Sequence, residues 1–81
     1  NDKTLIRYAL AGRYPHRTRV AIYDVLGRKV IVLVDEVRQE DMHEVVWDGK
    51  DEDGRALGSG VYLCVLETKR FRAVRRMVLL R

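Results

Sequence analysis

The sequence predicts an all-β fold, a single antiparallel β-sandwich domain, and three observations support this prediction. Short segments alternate apolar with polar residues, which is the pattern of half-buried strands. Turn-forming residues separate these segments at about the 8–12-residue spacing that is typical of sandwiches. No segment of useful length carries apolar residues at the helical period of about 3.6. With 81 residues, the chain can build one modest core and therefore one domain, residues 1–81.

The composition is that of a folded, soluble domain, since 47% of the residues are hydrophobic and 35% are charged. No apolar run approaches the roughly 18 residues of a membrane span, so we expect no membrane insertion. The chain starts at Asn1, and its first residues lack the basic, apolar and cleavage regions of a signal peptide. We therefore expect a module of a larger protein whose targeting signal lies upstream.

Six segments have strand character. They are residues 4–10, 18–24, 29–34, 42–48, 60–68 and 71–81. Gly12 and Pro15 predict a turn over residues 11–16, and residues 69–70 predict a tight turn between the last two strands. The polar, acidic residues 35–41 are predicted to form a solvated connection.

Asp24 and Gly27 predict a β-hairpin between the second and third strands. Gly27 can adopt the positive φ of a tight turn, and Asp24 can accept hydrogen bonds from nearby backbone amides. The third strand contains a continuous apolar run, residues 30–34. Such a run favours a central strand or a strand that is covered on both faces.

The segment 43–62 contains the lone tryptophan and a loop rich in aspartate and glycine. We considered it as a metal loop, as a ligand platform and as a structural joint between two sheets, and we favour the third interpretation. In this interpretation the tryptophan anchors the core, and the loop makes a turn that leads into the fifth strand. The residues assigned to the joint are Trp47, Asp48, Gly49, Asp53, Gly54, Gly60 and Tyr62.

The metal interpretation depends on Asp48, Asp51 and Asp53, because Ca²⁺ prefers several carboxylate and carbonyl oxygens around a glycine turn. The spacing does not match an EF-hand loop. Counted from Asp51, the fifth position is Arg55, and the twelfth is Tyr62 where that loop has a glutamate. We therefore predict no metal site and no cofactor.

The ligand interpretation depends on Trp47 and on the tyrosines Tyr8, Tyr14, Tyr23 and Tyr62, since aromatic rings can stack on sugars. In a small domain, however, a single tryptophan on a strand is more often the core anchor, as in immunoglobulin-type folds. A carbohydrate-binding module, or a structural spacer within a secreted enzyme, is the alternative function.

No set of residues has the spacing of a catalytic site. Cys64 shares one predicted strand face with Tyr62 and Leu66, so we expect a buried thiol rather than a nucleophile. His16 and His43 lie far apart in the sequence, and neither belongs to a recognisable catalytic arrangement. We predict that the domain is not an enzyme.

Charge is distributed unevenly along this chain, whose net charge is +4. Nine of the 12 acidic residues lie within residues 35–53, whereas residues 68–81 contain six basic residues and no acid. These basic residues share no single alternating face and have few aromatic neighbours. We therefore expect a solvated strand face, or a docking surface for a protein or an anionic cell-surface glycan, rather than a nucleic-acid site. On the fifth strand, the outward row Val61, Leu63 and Val65 also predicts a covering partner.

Several short motifs occur together in a characteristic order. They are Ile6-x-Tyr8-x-Leu10, Val20-x-Ile22-Tyr23-Asp24, Gly27-Arg28-x-Val30, Leu33-Val34-Asp35, His43-x-Val45-x-Trp47-Asp48-Gly49, Asp53-Gly54, Ser59-Gly60-Val61-Tyr62 and Arg76-Met77-Val78-Leu79-Leu80. On these motifs the chain resembles the C-terminal sorting domains of proteins that the type IX secretion system exports. Those domains are similar to the immunoglobulin-like domain of flagellar hook-capping proteins.

The resemblance implies a sandwich of about seven strands, immunoglobulin-like or fibronectin type III-like, at the C-terminus of a larger secreted protein. Outer-membrane secretion machinery would read the domain as an address, and the upstream cargo would then be released or attached to the cell surface. By this resemblance, residues 60–66 and 75–81 would carry the recognition. Together with the charge and the outward row, it predicts the recognition residues Arg72, Arg75, Arg76, Met77, Val78, Leu79, Leu80, Arg81, Val61, Leu63 and Val65.

Overall fold

The computed structural model describes residues 3–10, 15–39 and 41–81. Within these ranges every regular element is a β-strand, as the sequence predicts. The strands are β1 (Thr4–Leu10), β2 (His16–Asp24), β3 (Lys29–Arg38), β4 (Asp41–Trp47), β5 (Gly60–Glu67) and β6 (Arg72–Leu79). The described residues therefore form six strands, not the seven that the resemblance implies. Searched over the same ranges, the chain contains no helix with the length and hydropathy of a membrane span.

The strands form two antiparallel sheets that enclose one core. β1 pairs with β4, and the larger sheet has the strand order β3, β2, β5, β6. The buried core consists of Tyr8, Leu10, Val20, Ile22, Val34, Trp47, Cys64 and Leu79. Burying one large apolar side chain contributes about 1.5–3 kcal/mol, so the contacts between the two sheets supply much of the stability.

Strand β1 has the bounds that its alternation predicts. Tyr8 and Leu10 are buried in the core and Ile6 packs against it, while Leu5 and Arg7 point away from it. Arg7 forms an ion pair with Glu44 of β4 on the outside of this sheet, with 3.0 Å between Nε and Oε2.

The predicted hairpin between β2 and β3 is confirmed. Asp24 Oδ1 accepts hydrogen bonds from the backbone amides of Leu26 and Arg28, at 2.9 and 3.0 Å. Gly27 adopts a φ of 84°, a left-handed conformation that costs glycine little. The hydrogen bond from the Arg28 amide is the largest of the effects that hold the pKa of Asp24 below its ordinary value.

Of the two predicted positions for the third strand, the central one is wrong, because β3 lies at the edge of the four-stranded sheet. Residues 30–33 are nevertheless half-buried on both faces of the strand. Its pairing with β2 contains two irregularities, which leave Leu33 and Val30 without a partner in the register. Each inserted residue shifts the alternation by one, so that Val34 and Ile31 both lie opposite core-facing residues of β2. The continuous apolar run thus follows from bulges rather than from a central position.

The prediction of a solvated connection over residues 35–41 is also wrong. β3 continues to Arg38, and β4 begins at Asp41. Asp35 is accommodated in β3 because β2 offers it a cation: Arg17 Nη2 lies 2.9 Å from Asp35 Oδ1 across the two strands. Of the predicted turn 11–16, residues 11–14 lie outside the described residues, and His16 is the first residue of β2.

Candidate functional site

Strand β6 presents two different rows of side chains, because successive residues of a strand point to opposite faces. Leu79 is only 2% exposed and belongs to the core, so its row faces inwards. The inner row is Ala73, Arg75, Met77 and Leu79. The outer row is Arg72, Val74, Arg76 and Val78.

The outer row of β6 lies beside the outer row of β5. In the register of the two strands, Val78 lies opposite Val61, and Arg76 lies opposite Leu63. Val74 and Val78 are 51% and 59% exposed, and Val61 and Leu63 are half-buried. We call the surface formed by these two rows the outer hairpin face. It comprises Val61, Leu63, Arg72, Val74, Arg76 and Val78.

The outer hairpin face carries two arginines, and the one acidic residue beside them in the described part of the chain is Glu67 of β5, which lies opposite Arg72 in the register and is paired with Arg19. Arg72 and Arg76 are exposed, and their side chains make no hydrogen bond or ion pair with any residue that the structure describes. A guanidinium presents five N–H donors in a planar fork that matches a carboxylate. The face therefore combines exposed aliphatic side chains with unused arginine donors.

Val65 also lies on the outside of β5, but it is buried. Its partner in the register is Ala21 of β2, which is buried as well. On the same face of β2, Arg19 Nη1 donates a hydrogen bond to Tyr23 Oη at 3.0 Å, which carries the arginine side chain across the position of Ala21. Arg19 Nη1 also lies 3.6 Å from Glu67 Oε1 of β5. The middle of the sheet is thus covered by the chain itself, and its β5–β6 side is left open.

The other predicted recognition residues of β6 are divided among several environments. Leu79 is part of the core, and Met77 is half-buried against it. Arg75 is exposed on the inner row, and Leu80 is exposed beyond the end of β6. The structure therefore does not bring the predicted recognition residues together on one surface.

Arg81 contacts the predicted joint rather than the outer hairpin face. Its Nη2 donates to the Gly49 carbonyl at 2.6 Å, and its Nε donates to the carbonyl of Leu57. Its backbone amide donates to Ser59 Oγ at 2.9 Å. These bonds attach the second residue after β6 to the loop between β4 and β5. The sequence contains no signal for them, because two of the acceptors are backbone carbonyls distant in the chain.

Trp47 lies in the core at the end of β4. Its side chain is 1% exposed, and its Nε1 donates to the Lys50 carbonyl at 3.0 Å. The Tyr62 ring meets it edge to face, with 5.3 Å between the ring centroids. Tyr62 Oη in turn donates to the Gly58 carbonyl at 2.8 Å. Both aromatic rings thus bind the 48–59 loop through their polar atoms while packing with their apolar surface.

The turn in this loop is organised by Asp51, which lies within the predicted turn but is not among the residues named for the joint. Asp51 Oδ1 accepts hydrogen bonds from the amides of Asp53 and Arg55, at 2.9 and 3.0 Å. Gly54 follows with a φ of 80°. The Asp-x-Asp-Gly spacing is a turn signal that could have identified Asp51, because aspartate often bonds the amide two residues later. Within the described ranges, no three histidine, cysteine, aspartate or glutamate residues cluster as metal ligands.

Cys64 is buried and forms no disulfide. Burial raises the pKa of its thiol, and the Arg75 guanidinium acts in the opposite direction. The thiol is therefore protonated at neutral pH, which makes it a poor nucleophile.

Comparison of the chain with models of known protein families, with curated proteins and with solved structures found no match. The resemblance to type IX sorting domains stays a prediction from the sequence. The geometry of the outer hairpin face and of the joint is the basis for the functional proposal.

Proposed function

We propose that this domain is a non-catalytic sorting and cell-surface attachment domain with an immunoglobulin-like sandwich fold. In this proposal, outer-membrane secretion machinery of the type IX kind binds the outer hairpin face and exports the cargo domain that is linked upstream. The protein would then be secreted or held at the cell surface. One observation carries the proposal: arginine and exposed valine alternate along the outer row of β6.

The chemistry of the outer hairpin face suits a protein partner. Exposed aliphatic residues gain about 25 cal/mol for each Å² that a partner covers. Arg72 and Arg76 have free donors for carboxylates of the partner, and such charged groups set the orientation and speed of docking. We therefore expect an apolar partner surface that is bordered by acidic side chains.

The alternative functions have less support. A sugar platform built on Trp47 needs that ring to be accessible, and Trp47 is 1% exposed, while Tyr14 lies outside the described residues. A nucleophilic role for Cys64 needs a reactive thiolate, whereas this thiol is buried and its pKa is raised. A purely structural spacer would not depend on Arg72 and Arg76, so substitution of these arginines separates it from a sorting domain.

The test is secretion of a reporter. Residues 1–81 are fused to the C-terminus of a periplasmic reporter in a host with type IX secretion, and the reporter is quantified in the medium and in the periplasm. We expect export of the unaltered fusion and about a tenfold loss with Arg76→Glu, which corresponds to about 1.4 kcal/mol of binding.

Arg75→Glu is the matched control, since it makes the same change of charge at the neighbouring residue but on the inner row. We expect it to be exported like the unaltered fusion. A fusion that stays in the periplasm without any substitution would contradict the proposal. Equal export of the Arg76→Glu and Arg75→Glu fusions would contradict the assignment of the outer hairpin face.

A further inference from the structure

A groove opens between the two sheets on the side of β1 and β6. Its volume is about 540 Å³. β1 forms one wall and the first part of β6 forms the other, while Cys64 and Leu66 of β5 lie on the floor. The groove exists because a sheet of two strands cannot cover a sheet of four. Ala73 belongs to the inner row of β6 but is exposed for this reason.

Both walls of the groove are edges of sheets. Among the described residues, β1 pairs only with β4, and β6 pairs only with β5. An edge strand presents a row of backbone N–H and C=O groups without partners, which is a template for another strand. Neighbouring strands lie about 4.8 Å apart, so a strand added to β1 would lie above the inner faces of β5 and β6.

The groove is lined mainly by apolar side chains, together with Thr4, with Arg7, which is paired with Glu44, and with one unused cation. Leu66 and Met77 are half-buried in it, and Phe71 at its mouth is 41% exposed. Arg75 also lines the groove, and its side chain makes no hydrogen bond or ion pair with any residue in the described part of the chain. An occupant with apolar side chains and one carboxylate would satisfy both features.

We propose that this groove binds an extended, acid-bearing peptide strand of a partner protein. The strand pairs with the free edge of β1 and completes a three-stranded sheet above β5 and β6. Because side chains alternate along a strand, every second residue points to the apolar floor. A carboxylate of the same strand accepts hydrogen bonds from the Arg75 guanidinium. This mode of recognition combines backbone pairing for affinity with alternate side chains for specificity.

Charge favours a foreign acidic strand over a second copy of this chain. Antiparallel pairing of two β1 strands over their whole length would place Arg7 opposite Arg7 of the second copy, because this residue is the centre of Thr4–Leu10. Like charges directly opposite each other destabilise a strand pair. Pairing with the β6 edge of a second copy would bring further arginines, since β6 contains three and no acidic residue.

The test uses a seven-residue peptide, acetylated and amidated, in which valine alternates with serine and one of the valines is replaced by glutamate, and the isotope-labelled chain 1–81 observed by NMR. We expect chemical-shift changes at the β1 amides and at Arg75 Nε. The β1 amides that do not donate to β4 should exchange with solvent more slowly once the peptide is bound. A peptide with the same side chains and N-methylated backbone on one edge should not bind, because it cannot pair.

Reversing the charge of the peptide, of residue 75 or of both tests the role of Arg75. A peptide with lysine in place of glutamate should bind the natural chain at least about tenfold more weakly. Arg75→Glu should reverse this preference, Arg75→Lys should keep it, and Arg76→Glu on the outer hairpin face should leave it unchanged. The sorting proposal is tested by the export of the Arg76→Glu fusion, and the groove proposal is tested by peptide binding to the Arg75→Glu chain. Each proposal can therefore fail while the other holds.

Four results would overturn the groove proposal. They are equal affinity for the glutamate and lysine peptides, unchanged binding after N-methylation, shifts confined to the outer hairpin face, and self-association of the free chain through β1. The amide dispersion of each variant shows whether it is folded, so a loss of binding by a folded Arg75→Glu variant is attributable to the charge.

Discussion

The two ends of strand β6 lie in opposite environments. At its last residue, Leu79 is 2% exposed, and Arg81 beyond it binds the joint loop through the carbonyls of Gly49 and Leu57. At its first residues, Ala73 and Arg75 are exposed although they belong to the inner row. One end is closed by the tryptophan joint, and the other borders the open groove.

This difference shows how the small domain separates stability from recognition. The closed end holds Trp47 and Tyr62, so its packing and its hydrogen bonds restrain the hairpin. At the open end, side chains are exposed and few of their contacts would be lost on substitution. We expect substitutions at the closed end to change the free energy of unfolding, and those at the open end and on the outer hairpin face to change binding.

The largest expected effect is that of Trp47→Ala. Removal of a buried tryptophan typically costs about 3–5 kcal/mol, a large part of the roughly 4–12 kcal/mol expected for a domain of this size. Phe71→Ala at the open end should cost below about 1 kcal/mol, because Phe71 is 41% exposed. Urea denaturation of both variants measures the difference, and equal costs would show that the two ends are not distinct.

Arg81→Ala should cost about 2 kcal/mol, since it removes charge-assisted hydrogen bonds to two loop carbonyls. Arg75→Ala removes the same positive charge from the open end and should leave the free energy of unfolding within about 0.5 kcal/mol of the natural chain. Chemical denaturation at two salt concentrations provides the measurement. A greater loss for Arg75→Ala would contradict the assignment of Arg81 to the joint.

Within the 48–59 loop, Gly54→Ala and Gly58→Ala together isolate the effect of backbone strain on stability. A Cβ atom would meet nothing within 4 Å at either glycine, but only Gly54 has a φ of +80°. We expect a cost of about 1 kcal/mol for Gly54→Ala, because a residue with a Cβ is disfavoured in the left-handed region. Gly58→Ala should be nearly neutral in thermal unfolding. Similar melting temperatures for the two variants would be the contrary result.

The smallest expected effect is alkaline destabilisation through Cys64. Burial raises the pKa of the folded-state thiol, so the unfolded state releases its proton first, above about pH 8.5. The contribution of this thiol to the free energy of unfolding is therefore fully present below that pH. It is lost as the pH rises towards the folded-state pKa. Cys64→Ala should remove this decrease in the free energy of unfolding between about pH 8.5 and 9.5. Tyr8, whose pKa is also raised, is still protonated in that range. A thiol that water reached through the groove would show no such decrease.

Local alternation was enough to predict much of the fold. The bounds of β1 follow from its period of two, and the β2–β3 turn follows from Asp24 and Gly27. The bounds of β3 could not be predicted, because Asp35 pairs with Arg17 on a neighbouring strand and no local pattern reports such a pairing. The edge position of β3 could not be predicted either, because its bulges produce a continuous apolar run like that of a central strand.

The candidate site was predictable only in part. Alternation alone could have placed Arg75 on the face opposite to Arg72 and Arg76, and the structure places it there. The burial of Val65 depends on Arg19 and Tyr23 of another strand, and the groove depends on the unequal widths of the two sheets. Both are tertiary consequences that a single strand does not encode.

Amide hydrogen exchange along β6 tests the contrast between its two ends most directly. The comparison is restricted to β6 amides that donate to β5. We predict that those in residues 77–79 exchange only through global unfolding, and that those in residues 72–74 exchange at least about tenfold faster through local opening. Uniform protection along β6, or faster exchange beside Leu79 than beside Ala73, would contradict this account.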